Sequence, residues 1–190
     1  MDPNLPILSF ESKTDFIDWL EINNKQFTGI WIQIGKKNSG LKSVTYDEAV
    51  EASLCFGWID GIKKAYDEKT FIQYFTPRRP KSIWSLINKE KAIGLIEQGE
   101  MRLSGFAAIE VAKNNGMWAN AYEPQSTISI PHDLEQEFQN NKAAARFFKT
   151  LDSQNRYAIL HRIQKTKTED KRYELIQKFI TMLEENKKLY

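Results

Sequence analysis

The chain is poor in cysteine, poor in histidine and free of long apolar runs. One cysteine, Cys55, stands among 190 residues. A single thiol excludes an intramolecular disulfide and a thiolate metal cluster, and this usage suits a reducing cytoplasm. Histidine occurs twice, at His132 and His161. Neither has a carboxylate or cysteine at ligand spacing, and no H-E-x-x-H helix is present. Arg156, Arg162 and Lys165 around His161 would oppose a cation, so neither a metal site nor a cofactor is expected. There is no Walker loop, no G-x-G-x-x-G and no G-x-S-x-G, which leaves nucleotide binding and nucleophile-elbow hydrolysis by those routes without support. A Ser/His/Asp triad stays open, because its members meet only in the fold. No stretch approaches the roughly 20 apolar residues that span a bilayer. The opening MDPNLPILSFESKTDF lacks the basic start and apolar run of a secretory signal. These absences predict a cytoplasmic protein without membrane insertion.

What is present suits a folded domain, alone or with a small appendage. Hydrophobic residues make up 41% and charged residues 27% of the chain, with a net charge of +2. The charge is uneven: residues 142–190 carry 12 Lys and Arg against 6 Asp and Glu. A basic half is a mild pointer to an anionic partner, and a solvated helical surface explains it as well.

Hydrophobic periodicity orders the chain. Ser12 or Thr14 caps a helix through about Asn24. GIWIQIGK (29–36) alternates as a strand, and Thr45-Tyr46-Asp47-Glu48 has the form of a capping box ahead of a helix over about 46–56. Ile59–Tyr66 and Thr70–Thr76 flank a hairpin loop. Phe71, Tyr74 and Phe75 leave neither face polar, which predicts a sheet covered on both sides. Pro77 and Pro80 end that strand and fence Arg78 and Arg79. The chain reads as helical from Ser82, with Ser85 capping a helix through about Gln98. Ser104 starts another, with Phe106, Ile109 and Ala112 on one side. Asn120–Ser129 reads as a linker. Helices follow over about 133–140, 142–150, 153–165 and 168–186, the last with a stripe of Tyr173, Ile176, Ile180 and Leu183. The pattern predicts an α+β protein: a small, mainly antiparallel sheet covered by helices over 1–123, and a helical C-terminal region over 130–190 packed on it.

Chemistry concentrates in GWIDGIKKAYDEKTFIQYFTPRRPKSIW (57–84). Asp60 sits in an aromatic setting, where a carboxylate is costly unless paired. Arg78 and Arg79 are its natural partners, as bidentate forks. One reading is an Asp–Arg pair that locks the hairpin. Another is an anion site made by Arg78, Arg79 or Lys81 between Trp58 and Trp84, helped by helix amides after Ser82 or Ser85. Both hold together if one arginine is structural and the other available. Cys55 reads as a buried, inert thiol. Met117–Tyr122 is a second aromatic patch, a plug over the core edge.

FGWIDG (56–61), TPRRPKSIWS (76–85), Asn88, LIEQGEM (95–101), AKNNGMW (112–118) and Ala121-Tyr122 together resemble the YdeI/OmpD-associated, or bacteriocin-protection, family. IPHDL (130–134), NKAAARFF (141–148) and LDSQNRYAILHRIQKTKTEDKR (151–172) continue the resemblance over nearly the whole chain. One departure is Lys165-Thr166-Lys167, where the family commonly has Ala-Lys. The resemblance implies a bacterial protein linked to porin association and to tolerance of bacteriocins or antimicrobial peptides, and it carries no established reaction. Its matching residues include Trp58, Asp60, Arg78, Arg79, Ser82, Trp84, Ser85 and Asn88, which form the expected ligand-binding set. The expectation is a stress-tolerance and binding protein, not a catalyst, that takes an unidentified protein partner or a small anionic ligand. Two alternatives stay open: an enzyme acting on a small anion at Asp60/Arg78/Arg79, and nucleic-acid binding by the basic helices, disfavoured because their charges fall on several faces. The oligomeric state is open.

Overall fold

The computed structural model describes residues 5–124, 127–166 and 168–190. The chain divides into two compact units: Met1–Trp84 with Asn88–Asn120, and Ser85–Ile87 with Ala121–Tyr190. Gln125 and Ser126, inside the predicted linker, and Lys167 lie outside the described residues.

The first unit is built on a four-stranded sheet in the order β1-β2-β4-β3. Strand β1 (Ile7–Ser9) runs parallel to β2 (Ile30–Gly35), and helix α1 (Lys13–Asn23) connects them. Strands β3 (Trp58–Ala65) and β4 (Thr70–Pro77) form a hairpin whose second strand pairs antiparallel with β2. The class is the α+β predicted. Ile30, Ile32 and Ile34 lie opposite Phe75, Gln73 and Phe71, and the period of two puts all six on one face. Phe16 and Leu20 of α1 are buried in the same unit, with the Phe16 ring 6.0 Å from that of Phe75. Trp31 points to the opposite face and is buried too, 5.4 Å from the Tyr74 ring. Lys64 Nζ stands 4.8 Å from the centre of its indole.

Three details fix the hairpin and its helices. A bulge interrupts β3 between Asp60 and Lys63. There the buried Gln73 donates Nε2–H to the Gly61 carbonyl at 2.8 Å. Helix α2 (Tyr46–Cys55) begins with the predicted capping box: Glu48 N donates to Thr45 Oγ1 at 3.3 Å, and Thr45 N donates to Glu48 Oε2 at 2.8 Å. Such a box contributes about 1 kcal/mol. Gly57 then turns the chain into β3 at φ +74°, where a Cβ would stand 2.7 Å from the Ser104 carbonyl. Helix α4 (Leu103–Asn114) therefore approaches that turn backbone to backbone, and Gly105 faces the Cys55 carbonyl.

Two expectations need correction in this unit. The chain is not helical from Ser82: α3 spans Leu86–Glu97, and Arg78–Trp84 is an irregular loop held by its own hydrogen bonds. Phe106 does not face the core; it is 41% exposed, and Gly105, Ile109 and Ala112 are the buried positions of α4. Ile109 and Ala112 face inward as expected, and the close approach at Gly105 puts the glycine, not its large neighbour Phe106, against the core.

The second unit holds α5 (His132–Asn140), α6 (Lys142–Thr150), α7 (Ser153–Lys165) and α8 (Glu169–Glu184). Their apolar faces meet in a core that includes Leu134, Phe138, Phe148, Ile159, Ile163 and Leu183. Tyr173 lies outside the stripe, at 62% exposed, and Phe179 fills the inward turn with Ile176, Ile180 and Leu183. Asn141 and Asp152 cap α6 and α7 by accepting from Ala144 N and Asn155 N. Asn155 is buried, and its Oδ1 accepts from Leu189 N and Tyr190 N at 3.1 Å each. Arg172 ties three helices: Nη2 donates to Asp133 Oδ1 at 3.0 Å, Nε to Asp133 Oδ2, and Nη1 to the Ile163 carbonyl at 2.6 Å.

Candidate functional site

The site begins where β4 leaves the sheet. Arg78 N donates to the Gly57 carbonyl at 2.8 Å, which extends the hairpin ladder past Pro77. Pro77 and Pro80 keep the chain from pairing further. The loop is closed by a local turn: Ser82 N donates to the Arg79 carbonyl at 2.8 Å, and Arg79 N donates to Ser82 Oγ at 2.9 Å. Asn115, beyond the end of α4, donates Nδ2–H to the Pro80 carbonyl at 2.5 Å. The loop is thus clamped at both sides before α3 begins.

The two arginines take different roles. The Arg78 guanidinium sits over Trp84, its Cζ 3.5 Å from the ring centre, and Nη1 donates to the Ile83 carbonyl at 3.2 Å. Trp84 in turn meets Trp118 edge-on at 4.8 Å. Arg78 therefore builds the wall. Arg79 is exposed, and so is Lys25 just past the end of α1. Neither side chain has a hydrogen-bond or ion-pair partner among the described residues. Across from the loop, Trp58 is 1% exposed and donates its indole N–H to the Asn24 carbonyl at 3.3 Å. Its ring stands edge-on to Trp19 at 6.2 Å.

Between these elements lies a cleft of about 300 Å³. Its apolar lining comes from Phe56, Trp58 and Trp84 with Ala107, Ala108 and Val111 of α4. Its polar lining comes from Asn24, Lys25, Arg78, Arg79, Ser82 and Ser104. Among the described residues that line it there are three cations and no aspartate, glutamate or histidine. A low-dielectric wall beside the exposed Lys25 and Arg79 favours an anionic group and strengthens its attraction.

Of the expected set, Trp58, Arg78, Arg79, Ser82 and Trp84 line this cleft, whereas Asp60, Ser85 and Asn88 do not. The pairing of Asp60 with the arginines is overturned. No ion pair among the described residues joins them. Asp60 is half-buried, and its Oδ2 accepts from Tyr46 Oη at 2.8 Å. The register explains this: Asp60 sits opposite Phe75, while Arg78 lies one step past Pro77, the partner of Trp58. The capped start of α2 brings Tyr46 to the acid first. Of the amides expected to assist an anion at the α3 start, the first, Leu86 N, donates to the Tyr122 carbonyl at 2.9 Å. Lys81 does not line the cleft.

Sequence reasoning missed Asn24 and Lys25, and the α4 residues Ser104, Ala107 and Ala108. The run Gly105-Phe106-Ala107-Ala108 is the one available signal, because small residues mark a helix face approached closely. Cys55 is buried, and burial first of all pushes its thiol up to about 11, which keeps it protonated and unreactive. In the basic half, Arg162 donates to Tyr190 Oη at 2.9 Å and Arg172 is held by Asp133, so those two cations serve local structure. Among the described residues no helix is long and apolar enough to cross a membrane, and no group of three or more His, Cys, Asp or Glu could hold a metal.

Residues 8–108 match the family model described as a domain of unknown function, DUF8412. Residues 127–186 match the model described as Bacteriocin-protection, YdeI or OmpD-Associated, in agreement with the motifs at 130–134, 141–148 and 151–172, whereas the motifs at 56–101 fall within the DUF8412 match. No curated protein and no solved structure matches the chain.

Proposed function

The chain belongs to the DUF8412 family of domains of unknown function and carries the YdeI or OmpD-associated segment, and we propose on that premise that it is a bacterial, cytoplasmic stress-tolerance protein that acts by binding an anionic group in the cleft of its first unit. One observation carries the binding reading: a cleft with three cations, two tryptophans and no carboxylate among its described lining residues. Arg79 and Lys25 would meet the anion, Ser82 and Asn24 would offer hydrogen bonds to it, and Trp58 and Trp84 would flank its apolar body. Arg78, held on Trp84, fixes the shape of the wall. A catalytic role would need an acid or base at the bound group. Asp60 lies outside the lining and is engaged by Tyr46, which favours binding over a reaction there.

Titration calorimetry with benzoate and phenyl phosphate tests this reading. Binding is expected for the native chain, with a loss of tenfold or more in Arg79→Ala, as for a removed charge-assisted hydrogen bond. Asp60→Asn should leave the affinity unchanged. Equal affinity of Arg79→Ala and the native chain would defeat the proposal. The stress-tolerance part predicts that a bacterium without its own family member survives antimicrobial-peptide challenge better with the native gene than with Arg79→Ala.

A further inference from the structure

The cleft does not end at its own walls. It shares Asn24, Lys25, Phe56 and Ser104 with a neighbouring depression of about 470 Å³, and Pro77, Arg79 and Ser82 with another of about 460 Å³. The three form one groove across the first unit, with Lys25 and Arg79 at the two junctions. The first depression is lined by Ile22 and Leu103, which are 72% and 89% exposed. They are the most exposed large apolar side chains among the described residues, and they come together at one depression from α1 and the start of α4, a grouping that favours an interaction surface over singly scattered side chains. Its one acid among the described residues, Glu21, already accepts from Arg102 Nε at 2.6 Å. The second depression continues past Arg79 along Thr28, Tyr74 and Thr76, and no acid lines it among the described residues.

We propose that this groove takes an extended, acidic segment of a partner protein, with a large apolar side chain seated between Ile22 and Leu103 and one or more carboxylates at Lys25 and Arg79. The inference rests on the anion-binding reading above and names the ligand that reading leaves open. Charge complementarity argues for it, since among the described residues that line the groove cations outnumber acids and the one acid, Glu21, is neutralised by Arg102. The layout argues for a peptide over a small molecule. An apolar anchor with a polar rim is the anatomy of a protein interface. Asn24, Ser104, Ser82, Thr28 and Thr76 set hydrogen-bonding side chains along the path, as a peptide backbone requires. An open depression flanked by Lys25 and Arg102 suits such a side chain, whereas an acyl chain calls for an enclosed apolar tunnel.

The test uses the full chain and a synthetic pool of randomised ten-residue peptides, with recovery at equilibrium and sequencing of what is retained. Enriched peptides are expected to carry Asp or Glu a few residues from Leu, Ile or Phe. Calorimetry on an enriched peptide should show a loss of about tenfold in Leu103→Ser and in Arg79→Ala. Leu103 is almost fully exposed, so its replacement leaves the fold intact, as circular dichroism would verify. If benzoate binds with dependence on Arg79 but no peptide is enriched, or Leu103→Ser changes nothing, the groove proposal falls and the anion cleft stands. Enrichment of basic peptides also overturns it. If neither benzoate nor any peptide binds, both fall.

Discussion

The two units solve the problem of holding a core in different ways. The first stacks rings against a sheet and lets backbones touch, at Gly57 against Ser104 and at Gly105 against Cys55. The second keeps its four helices in register with polar ties from Asn155 and Arg172 around an aliphatic and phenylalanine core. Irregular backbone follows from the first solution: a cleft opens where the β4 exit loop faces α4. The second solution spends its polar side chains on structure. The comparison teaches that, in this chain, the candidate cleft appears where packing depends on small residues and loops.

Core deletions should separate the units most sharply. Ile163→Ala removes a fully buried side chain and should cost about 2–5 kcal/mol. Hydrogen exchange read by mass spectrometry should localise the lost protection to residues 130–190. Gly57→Ala should cost about 2–4 kcal/mol, from a positive φ and a Cβ close to the Ser104 carbonyl. Its lost protection should map to β3 and α4, and anion binding should weaken with it. Equal losses in both units for either variant would break the comparison.

The elements that these variants probe were legible in the sequence to different depths. Of the two α1 caps the sequence offers, Ser12 and Thr14, Ser12 is the one used, Thr45 caps α2 as read, and the alternation in IWIQI marks β2, because capping and periodicity are local. All four C-terminal helices were placed within a few residues for the same reason. Phe106 departs from its expected face because the adjacent Gly105 sets the approach, and Tyr173 because Phe179 joins Ile176, Ile180 and Leu183 on the inward face and leaves the start of α8 outside it. The candidate site was legible in its loop, where Trp58, Arg78, Arg79, Ser82 and Trp84 lie within 27 consecutive positions. Asn24, Lys25 and Ser104 come from distant segments, and only the fold brings them there. The Asp60 partner was missed because a charge pair looked stronger than a tyrosyl hydroxyl, while strand register decided which group could reach.

Smaller effects sharpen the contrast. Arg172→Ala should cost about 1–2 kcal/mol in chemical denaturation, less than a fully buried pair because both partners keep some contact with water. The hydrogen bond from Arg172 holds the Asp133 carboxyl below its usual range. Its contribution is present above the unfolded value and is lost as pH falls through the depressed one. Thr45→Ala should cost about 1 kcal/mol through the α2 cap. The smallest effect belongs to His161, stacked on Tyr157 at 5.1 Å with Tyr122 edge-on at 5.3 Å. Burial, and then the charge of Lys165, lower its pKa from 6.5. The folded state therefore prefers the neutral ring: stability is complete above about pH 6.5 and declines as pH falls from there toward the depressed value. His161→Phe should flatten that part of the stability profile, measured by thermal denaturation across pH 4–8.

The cation fixed on Trp84 has an optical consequence. Exciting an indole shifts its electron density, so a guanidinium 3.5 Å from the ring centre helps to set the colour of its emission. An anion arriving beside Arg78 changes the electric field across that ring. The wall of the cleft thus doubles as a built-in dye, and Trp84→Phe would identify its band among the five tryptophans.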